Sequence, residues 1–168
     1  GAYLIVFPDK VYLNTKDLTD YGSLECERTA SAGVAISLCD AEGTAYSGVV
    51  QSAGAPEDPE EGTLWMDVSG AEPVLRQYGQ ECWTALQNVC VKLQATLLGK
   101  GFAAGDGVTV SGCAAARLNG EKVLQAAGEN WVVFPGIVAG NASQEAAVTI
   151  SRTVPEMDFV VESGNRLW

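Results

Sequence analysis

Short runs of alternating apolar and polar residues recur along the whole chain, separated by turn signals. The clearest example is 102–133, where Gly105-Asp106-Gly107 and Leu118-Asn119-Gly120 separate runs of β-branched residues. Gly and Asn readily adopt the positive φ angles that tight hairpin turns require. The pattern therefore predicts strand, turn, strand, turn, strand over this segment.

Both ends of the chain carry further strand signals. Residues 4–7 and 11–13 are β-formers on either side of Pro8-Asp9-Lys10, which predicts a hairpin. Because an isolated hairpin is marginally stable in water, we expect 1–21 to pair with the closing segment 153–168. Adjacent termini of this kind are what an inserted domain requires.

The middle of the chain predicts two β-subdomains. Runs at 34–39 and 44–50 predict another hairpin, and 51–61 is a Pro- and acid-rich linker that breaks regular structure. We predict a first β-subdomain over 22–55 and a second over 62–152, with one β domain over 22–152 as the alternative.

Two segments carry weaker signals. Residues 82–98 fit a helical face as well as strand alternation, and we favour a strand over 89–95. The alternating run 146–152 is expected to pair beside 131–134. Because turn signals are closely spaced throughout, we predict an all-β fold of small antiparallel barrel-like or Ig-like sandwich subdomains with at most one short helix.

Three groups of residues resemble a known class of protein. They are Gly101-Phe102-x-x-Gly105-Asp106-x-Val108-Thr109-Val110-Ser111-Gly112 followed by Leu118-Asn119-Gly120 and Gly128-x-x-Trp131-Val132-Val133, together with the two ends 2–15 and 157–168. The first group resembles small β-modules of tailed-bacteriophage virion proteins, and the ends resemble strand pairs of prophage tail proteins with a propeller-like body. The resemblance covers both ends and the third quarter of the chain. It implies a virion structural protein of the tail or the head–tail connection, assembled in the bacterial cytoplasm, with other virion subunits as oligomeric partners.

The charge of the chain is strongly acidic, with 21 Asp and Glu against 10 Lys and Arg. Nucleic-acid affinity depends on cationic side chains that displace counterions from the phosphate backbone. We therefore expect no direct sequence-specific nucleic-acid binding. No apolar run approaches the ~20 residues of a membrane helix, so no membrane partner is expected.

The chain has five cysteines and no histidine. Without histidine, the usual catalytic triads and the common zinc sites have no ligand or base, and we expect no metal or other cofactor. The cysteines are expected to be reduced and buried as small apolar residues, as in most intracellular proteins. If one pair is bridged, Cys82 with Cys90 is the candidate by sequence proximity.

Three aromatic residues are the candidate ligand-binding site. The order Gly62-x-Leu64-Trp65-x-Asp67, then Tyr78 and Trp83, resembles three-stranded units of phage tail fibres and of some carbohydrate-binding modules. Trp65, Tyr78 and Trp83 would then stack on a sugar, for instance a host cell-surface polysaccharide. The alternative is that the three rings form the core of a small sheet, which we favour because aromatics dominate small cores.

Two further motifs invite a chemical interpretation. Asp67 and Glu81 each lie close in sequence to a tryptophan, and a carboxylate pair is what a glycosidase uses. Gly105-Asp106-Gly107 resembles part of a calcium loop, but Val108 and Val110 stand where acidic ligands should follow, so a turn is favoured. We predict a non-enzymatic protein without catalytic residues, whose role is assembly or host contact.

Overall fold

The chain forms two compact units in the computed structural model, which describes residues 2–154, 162–163 and 166–167. One unit comprises Gly1–Glu27 together with Ser151–Trp168, and the other comprises Arg28–Ile150. The strands are β1 (Tyr3–Val6), β2 (Val11–Asn14), β3 (Tyr21–Ser23), β4 (Cys26–Ala30), β5 (Val34–Cys39), β6 (Val50–Ser52), β7 (Leu64–Asp67), β8 (Val74–Gly79), β9 (Cys82–Ala85), β10 (Cys90–Gln94), β11 (Gly107–Ser111), β12 (Gly120–Val123), β13 (Ala126–Gly128), β14 (Trp131–Pro135), β15 (Ala142–Gln144), β16 (Val148–Arg152), β17 (Glu162–Ser163) and β18 (Arg166–Leu167).

The all-β prediction is confirmed. In the described part of the chain, the one helical element is a three-residue 3-10 turn at Ala116–Leu118. The strands form several mainly antiparallel sheets, and none of the described sheets closes into a barrel. The fold class follows from the short alternating runs, whereas the open sheets exclude the barrel alternative for these residues.

The first unit contains a three-stranded sheet in the order β1-β2-β3. Tyr3 lies opposite Asn14 and Val6 opposite Val11, which confirms the predicted N-terminal hairpin. The third strand, β3, was not predicted; it pairs Tyr21 with Leu13 of β2. The predicted partner of this hairpin, 153–168, falls mostly outside the described residues, and that pairing stays a prediction.

A five-stranded sheet in the order β13-β14-β10-β5-β15 supplies the largest share of the core of the second unit. On one of its faces, side chains from three adjacent strands are fully buried, among them Leu38, Val91 and Phe134, which lie in one cross-strand row. Since β5 precedes 51–61 and β10 follows it, strands from both sides of that Pro-rich segment share one sheet.

A four-stranded sheet in the order β12-β11-β16-β4 supplies further buried residues. Val108, Val110, Val148 and Ile150 alternate with exposed or half-buried neighbours, as a one-sided strand requires. The prediction that 146–152 pairs beside 131–134 is wrong, because β16 lies between β11 and β4. Sequence alternation identifies a strand but carries no information about its neighbour in the sheet.

The third sheet of this unit has the order β6-β7-β8-β9 and includes one parallel pair, β6 with β7. The predicted strand at 44–50 is mostly wrong, because that segment contributes only an isolated bridge between Cys39 and Ala45 before β6 begins at Val50. The strand predicted over 89–95 is confirmed as β10, and the helix alternative for 82–98 is excluded by β9 and β10.

Candidate functional site

The three predicted aromatic residues lie together on one face of the β6–β9 sheet. Tyr78 is directly opposite Trp83, and Trp65 is directly opposite Arg76. Alternate residues of a strand share a face, so Arg76 and Tyr78 of β8 place all three rings side by side. The ring centroid of Trp83 lies 5.3 Å from that of Trp65 and 5.2 Å from that of Tyr78.

The rings meet edge to face rather than in one plane. The Trp65 and Trp83 planes make an angle of 67°, and those of Tyr78 and Trp83 an angle of 60°. Trp65 is only 7 % exposed, and its Nε1 donates to the Ser52 carbonyl at 3.0 Å. Edge-to-face contacts are the usual geometry of packed aromatic cores, whereas stacking on a sugar uses exposed ring faces. The arrangement therefore fits the core interpretation, and the carbohydrate interpretation stays a prediction.

Arg76 completes this aromatic cluster of Trp65, Tyr78 and Trp83. Its guanidinium carbon lies 5.7 Å from the centroid of the Trp65 ring, and its Nε donates to Asp67 Oδ2 at 3.1 Å. The guanidinium thus contacts a ring face while its charge is balanced by a carboxylate on the neighbouring strand. One arginine links the cluster to the end of β7.

Asp67 is held by hydrogen bonds as an ionised carboxylate. Its Oδ1 accepts from the Ser69 hydroxyl at 2.6 Å and from the Ser69 backbone N–H at 3.0 Å. These bonds, followed by the Arg76 contact, lower the pKa of the Asp67 carboxyl below its ordinary value. A carboxylate stabilised in this way is a poor proton donor.

Asp67 and Glu81 lie at opposite ends of the sheet. Asp67 pairs with Val74, the first residue of β8, while Glu81 follows Gly79, the last residue of that strand. A six-residue strand spans about 17 Å, whereas the two carboxylates of a glycosidase stand roughly 5 to 9.5 Å apart. The structure therefore does not bring this carboxylate pair together.

Gly105-Asp106-Gly107 forms the turn that leads into β11. Asp106 Oδ2 accepts from the Ala103 N–H at 2.9 Å, and Leu124 pairs with the turn through its N–H to the Asp106 carbonyl at 2.9 Å. Gly105 has a φ of 90°, as the sequence predicted for a turn glycine. No group of three or more His, Cys, Asp or Glu residues arranged to hold a metal ion is found among the described residues.

A groove of about 450 Å³ lies beside Tyr78. Glu61, Gln77, Gln80 and Thr84 supply its polar lining, and the Gln80 N–H donates to Glu61 Oε2 at 3.3 Å. The groove is open and combines the Tyr78 ring with two side-chain amides, one carboxylate and the Thr84 hydroxyl.

The most prominent surface feature is one face of the β1–β3 sheet. Register places Leu4, Leu13 and Tyr21 in one cross-strand row and Val6 and Val11 in the next. We call these five residues the apolar face. Leu4 is 53 % exposed and Tyr21 is 71 % exposed. A sheet face of this composition lies in the interior of most folded proteins.

Exposed apolar residues are concentrated in this unit. Nine large apolar side chains are exposed in the described part of the chain, and six of them lie between residues 3 and 21. Leu4, Val6, Val11 and Tyr21 are on the apolar face, Tyr3 is on the opposite face, and Leu18 lies between β2 and β3. Scattered exposed apolar residues are normal, but a contiguous patch marks a contact surface. The hairpin was predictable from sequence, whereas the patch depends on β3, whose tyrosine completes the row.

The opposite face of the same sheet carries Tyr3, Ile5, Tyr12 and Asn14. Tyr3 and Tyr12 make an edge contact with centroids 5.8 Å apart, and the Tyr3 hydroxyl donates to Asp20 Oδ2 at 3.0 Å. Asn14 Nδ2 donates to the same carboxylate oxygen at 3.1 Å. This side thus combines aromatic rings and Ile5 with hydrogen-bonded polar groups, and the apolar face lies on the other side.

The cysteines differ from one another in burial. Cys82, on β9, is exposed, and its Sγ lies 3.4 Å from the Gly79 carbonyl oxygen. Cys90 is buried and lies directly opposite Cys39 of β5. The exposure of Cys82 departs from the expectation that the cysteines are buried. Register places Cys39, and not the Cys82 that sequence proximity suggested, opposite Cys90.

Comparison with protein-family models, with curated proteins and with solved structures finds no match to this chain. Across the described residues, no helix has the length and apolar character needed to cross a membrane.

Proposed function

We propose that this chain is a non-catalytic structural component of a tailed-phage or prophage virion, from the tail or the head–tail connection. The apolar face of the β1–β3 sheet packs against the sheet body of another virion subunit. The Arg28–Ile150 unit contacts neighbouring subunits or the host surface. The observation that carries this proposal is the concentration of exposed apolar side chains on one face of a small sheet.

The chemistry of the apolar face favours a protein partner. Its members are aliphatic side chains and one tyrosine, and burial of such side chains is the main favourable term in protein association. A three-stranded sheet becomes independently stable only when its hydrophobic face is covered. A partner that covers Leu4, Val11 and Tyr21 buries the apolar face and thereby stabilises the sheet.

The charge of the chain supports the same interpretation. The net charge of −11 repels phosphate backbones, so the proposed partners are protein subunits and not nucleic acid. The same charge favours solubility of the separate subunit before assembly. The resemblance of 101–133 and of the two chain ends to virion proteins supplies the class of assembly.

The test begins with the virion itself. Phage particles are purified from cultures of the organism that encodes the chain, with prophage induction, and labelled with an antibody raised against the chain. We expect gold label on the tail or the tail–head junction in electron micrographs, and peptides of the chain in the mass spectrum of the particles. Particles that contain neither would overturn the proposal.

A matched pair of variants then tests the apolar face. Leu4→Thr and Val11→Thr reduce apolar contact on that face and retain a β-compatible side chain. Val123→Thr makes the equivalent change at a site on β12 that is 55 % exposed. We expect the first two to lower the amount of chain per particle at least tenfold and the control to leave it unchanged. Equal incorporation of all three variants contradicts docking through this face.

A further inference from the structure

Two buried thiols face each other across neighbouring strands of the five-stranded sheet. Cys39 is the last residue of β5 and Cys90 the first residue of β10, and the antiparallel register pairs them directly. Cys39 is 0 % exposed and Cys90 is 1 % exposed. With Val133 of β14 they form a small buried cluster against which Trp131 packs.

Backbone hydrogen bonding shows which kind of cross-strand pair this is. On the outer side of β5, the Tyr46 N–H donates to the Leu38 carbonyl at 3.1 Å and the Asp40 N–H to the Thr44 carbonyl at 3.0 Å. These bonds flank Cys39, so its own N–H and carbonyl point the other way, toward β10. Residues in such a hydrogen-bonded antiparallel pair have Cα atoms about 5.5 Å apart, within the roughly 4.4 to 6.8 Å that a disulfide spans. Their Cβ atoms lie about 5 Å apart, so the two strand ends must close by about 1 Å to reach the roughly 3.5 to 4.5 Å of a disulfide.

We propose that Cys39 and Cys90 form a cross-strand disulfide when the chain meets a thiol–disulfide oxidant such as oxidised glutathione. The thiolate of one cysteine attacks a sulfur of the oxidant, forms a mixed disulfide and releases one glutathione thiolate, which takes up a proton. The second cysteine, as its thiolate, attacks the protein sulfur of that mixed disulfide and releases the second glutathione. Two protein thiols are oxidised and one glutathione disulfide is reduced to two thiols.

The segment after Cys39 lies against this pair, because Ala41 packs on the buried cluster of Cys39, Cys90 and Val133. Asp40 Oδ1 accepts from the Glu42 N–H at 3.1 Å and from the Thr44 N–H at 2.8 Å. Lys92 holds the loop from the sheet side, because its Nζ donates to the Gly43 carbonyl at 3.2 Å and lies 4.8 Å from the centroid of the Trp131 ring. Oxidation therefore requires local opening of this loop.

Burial also slows the reaction in the closed state. It raises the pKa of Cys39 to about 12, with Cys90 and Asp40 as further contributors, and raises that of Cys90 for the same main reason. The thiolate is the reacting species, so closed molecules react slowly at neutral pH. The carboxylates of Asp40 and Glu42 and the ammonium of Lys92 are the charged groups that act on this pair.

The bond would tie together the two ends of the segment that carries the β6–β9 sheet. That sheet lies between Val50 and Ala85 and is therefore bracketed by Cys39 and Cys90. A cross-link at this position restricts the unfolded chain and holds the aromatic cluster on a closed loop. The oxidised chain is expected to resist denaturant better than the reduced chain.

The experiment maps the cross-link directly. The purified chain is incubated at pH 8 with oxidised glutathione in sub-denaturing urea, which opens the loop, then alkylated and digested without reduction. We expect a linked peptide pair containing Cys39 and Cys90, the loss of two titratable thiols, and an upward shift of the urea midpoint that dithiothreitol reverses. Linkage confined to other cysteines, or glutathione adducts without a Cys39–Cys90 peptide, would overturn the proposal.

Variants separate this pair from general thiol chemistry. Cys39→Ser is expected to abolish both the linked peptide and the midpoint shift, while Cys113→Ser, which alters another buried thiol, retains both. If Cys39→Ser fails to fold, Cys90→Ala serves the same purpose, and the wild-type peptide map is decisive without either variant. Persistence of the midpoint shift in a folded variant of the pair counts against the inference.

Discussion

Tyr78 and Trp83 lie directly opposite each other on β8 and β9, with ring centroids 5.2 Å apart and ring planes at 60°. Trp83 also contacts Trp65, so it joins the half-buried Tyr78 to the buried Trp65. Cross-strand aromatic pairs of this geometry stabilise a sheet beyond their burial alone. Trp83 is therefore the central ring of the cluster, because it contacts both of the others.

Replacement of Trp83 tests whether the cluster is structural. Trp83→Ala removes both ring contacts and is expected to lower the free energy of unfolding by about 2 to 3 kcal/mol, less than for a fully buried ring because Trp83 is half-buried. Trp83→Phe keeps a ring opposite Tyr78 and should lose about half as much. Urea denaturation monitored by far-UV circular dichroism measures both. Equal stability of Trp83→Ala and the wild type contradicts the core interpretation.

The carbohydrate interpretation has its own test. Iodide quenching of tryptophan fluorescence is measured with and without a panel of bacterial cell-wall polysaccharides. Because Trp65 is buried and the rings meet edge to face, we expect no protection by any polysaccharide. Protection that disappears in Trp83→Phe would favour a receptor-binding module instead.

The hydrogen bonds of Asp67 predict an acid-sensitive contribution to stability. Because these bonds lower the pKa of the folded carboxyl, its contribution is present above the ordinary pKa of about 3.8 and is lost as the pH falls through the lowered value. Asp67→Asn should lower stability at neutral pH and flatten the acid limb of the stability profile. Thermal melts recorded at intervals of about one pH unit between pH 2 and pH 7 measure this dependence.

The matched control is Glu57→Gln, which removes an exposed carboxylate from the 51–61 segment. We expect its pH profile to follow that of the wild type. If the pH profile of Asp67→Asn also follows that of the wild type, the contacts of Asp67 with Ser69 and Arg76 make no measurable contribution to stability.

Gly99 lies where no side chain fits. The Gly99 N–H donates to the Glu129 carbonyl at 3.2 Å, and a Cβ at this position would collide with the backbone oxygens of Gly128 and Trp131. Gly99→Ala must displace backbone and should cost about 3 kcal/mol or more. Gly107→Ala, where a Cβ meets nothing within 4 Å, is the control and should cost less than about 1 kcal/mol. Similar urea midpoints for the two variants would contradict this account.

The cysteines should differ in reactivity. Alkylation of the folded, reduced chain with iodoacetamide at pH 8 is expected to modify the exposed Cys82 first, while the buried Cys39, Cys90 and Cys113 react at least tenfold more slowly. Burial raises the pKa of each of these three thiols, which reinforces the effect of low access. Peptide mass spectrometry over time gives the four rates. Modification of Cys39 as fast as that of Cys82 would show that the loop after Cys39 is open in solution.

Several elements could be predicted from sequence because their signals are local. The hairpin of β1 and β2 follows from β-formers on either side of Pro8-Asp9, and β10 follows from alternation at 89–95. The turn at Gly105 follows from a residue type that adopts positive φ at low cost. The strand predicted at 44–50 failed, because only Ala45 pairs before Val50 and the segment instead folds back along β5.

The candidate sites depended on contacts that the sequence does not specify. Trp65, Tyr78 and Trp83 were identified together by residue type, but their angles and burial come from the register of β7, β8 and β9. Asp67 and Glu81 looked like a pair in sequence and lie at opposite ends of the sheet. Cys39 and Cys90 are distant in sequence and directly opposite in the fold.

The sequence by itself determined the all-β class, the turn positions and the acidic surface, since alternation, turn residues and charge act locally or as sums over the chain. Only the tertiary structure decided which strands are neighbours, which thiols meet and which apolar residues remain exposed. The physical reason is that strand pairing joins segments far apart in the chain through backbone hydrogen bonds, which are the same for every residue type. Which strands become neighbours in a sheet therefore depends on the combined burial of all side chains.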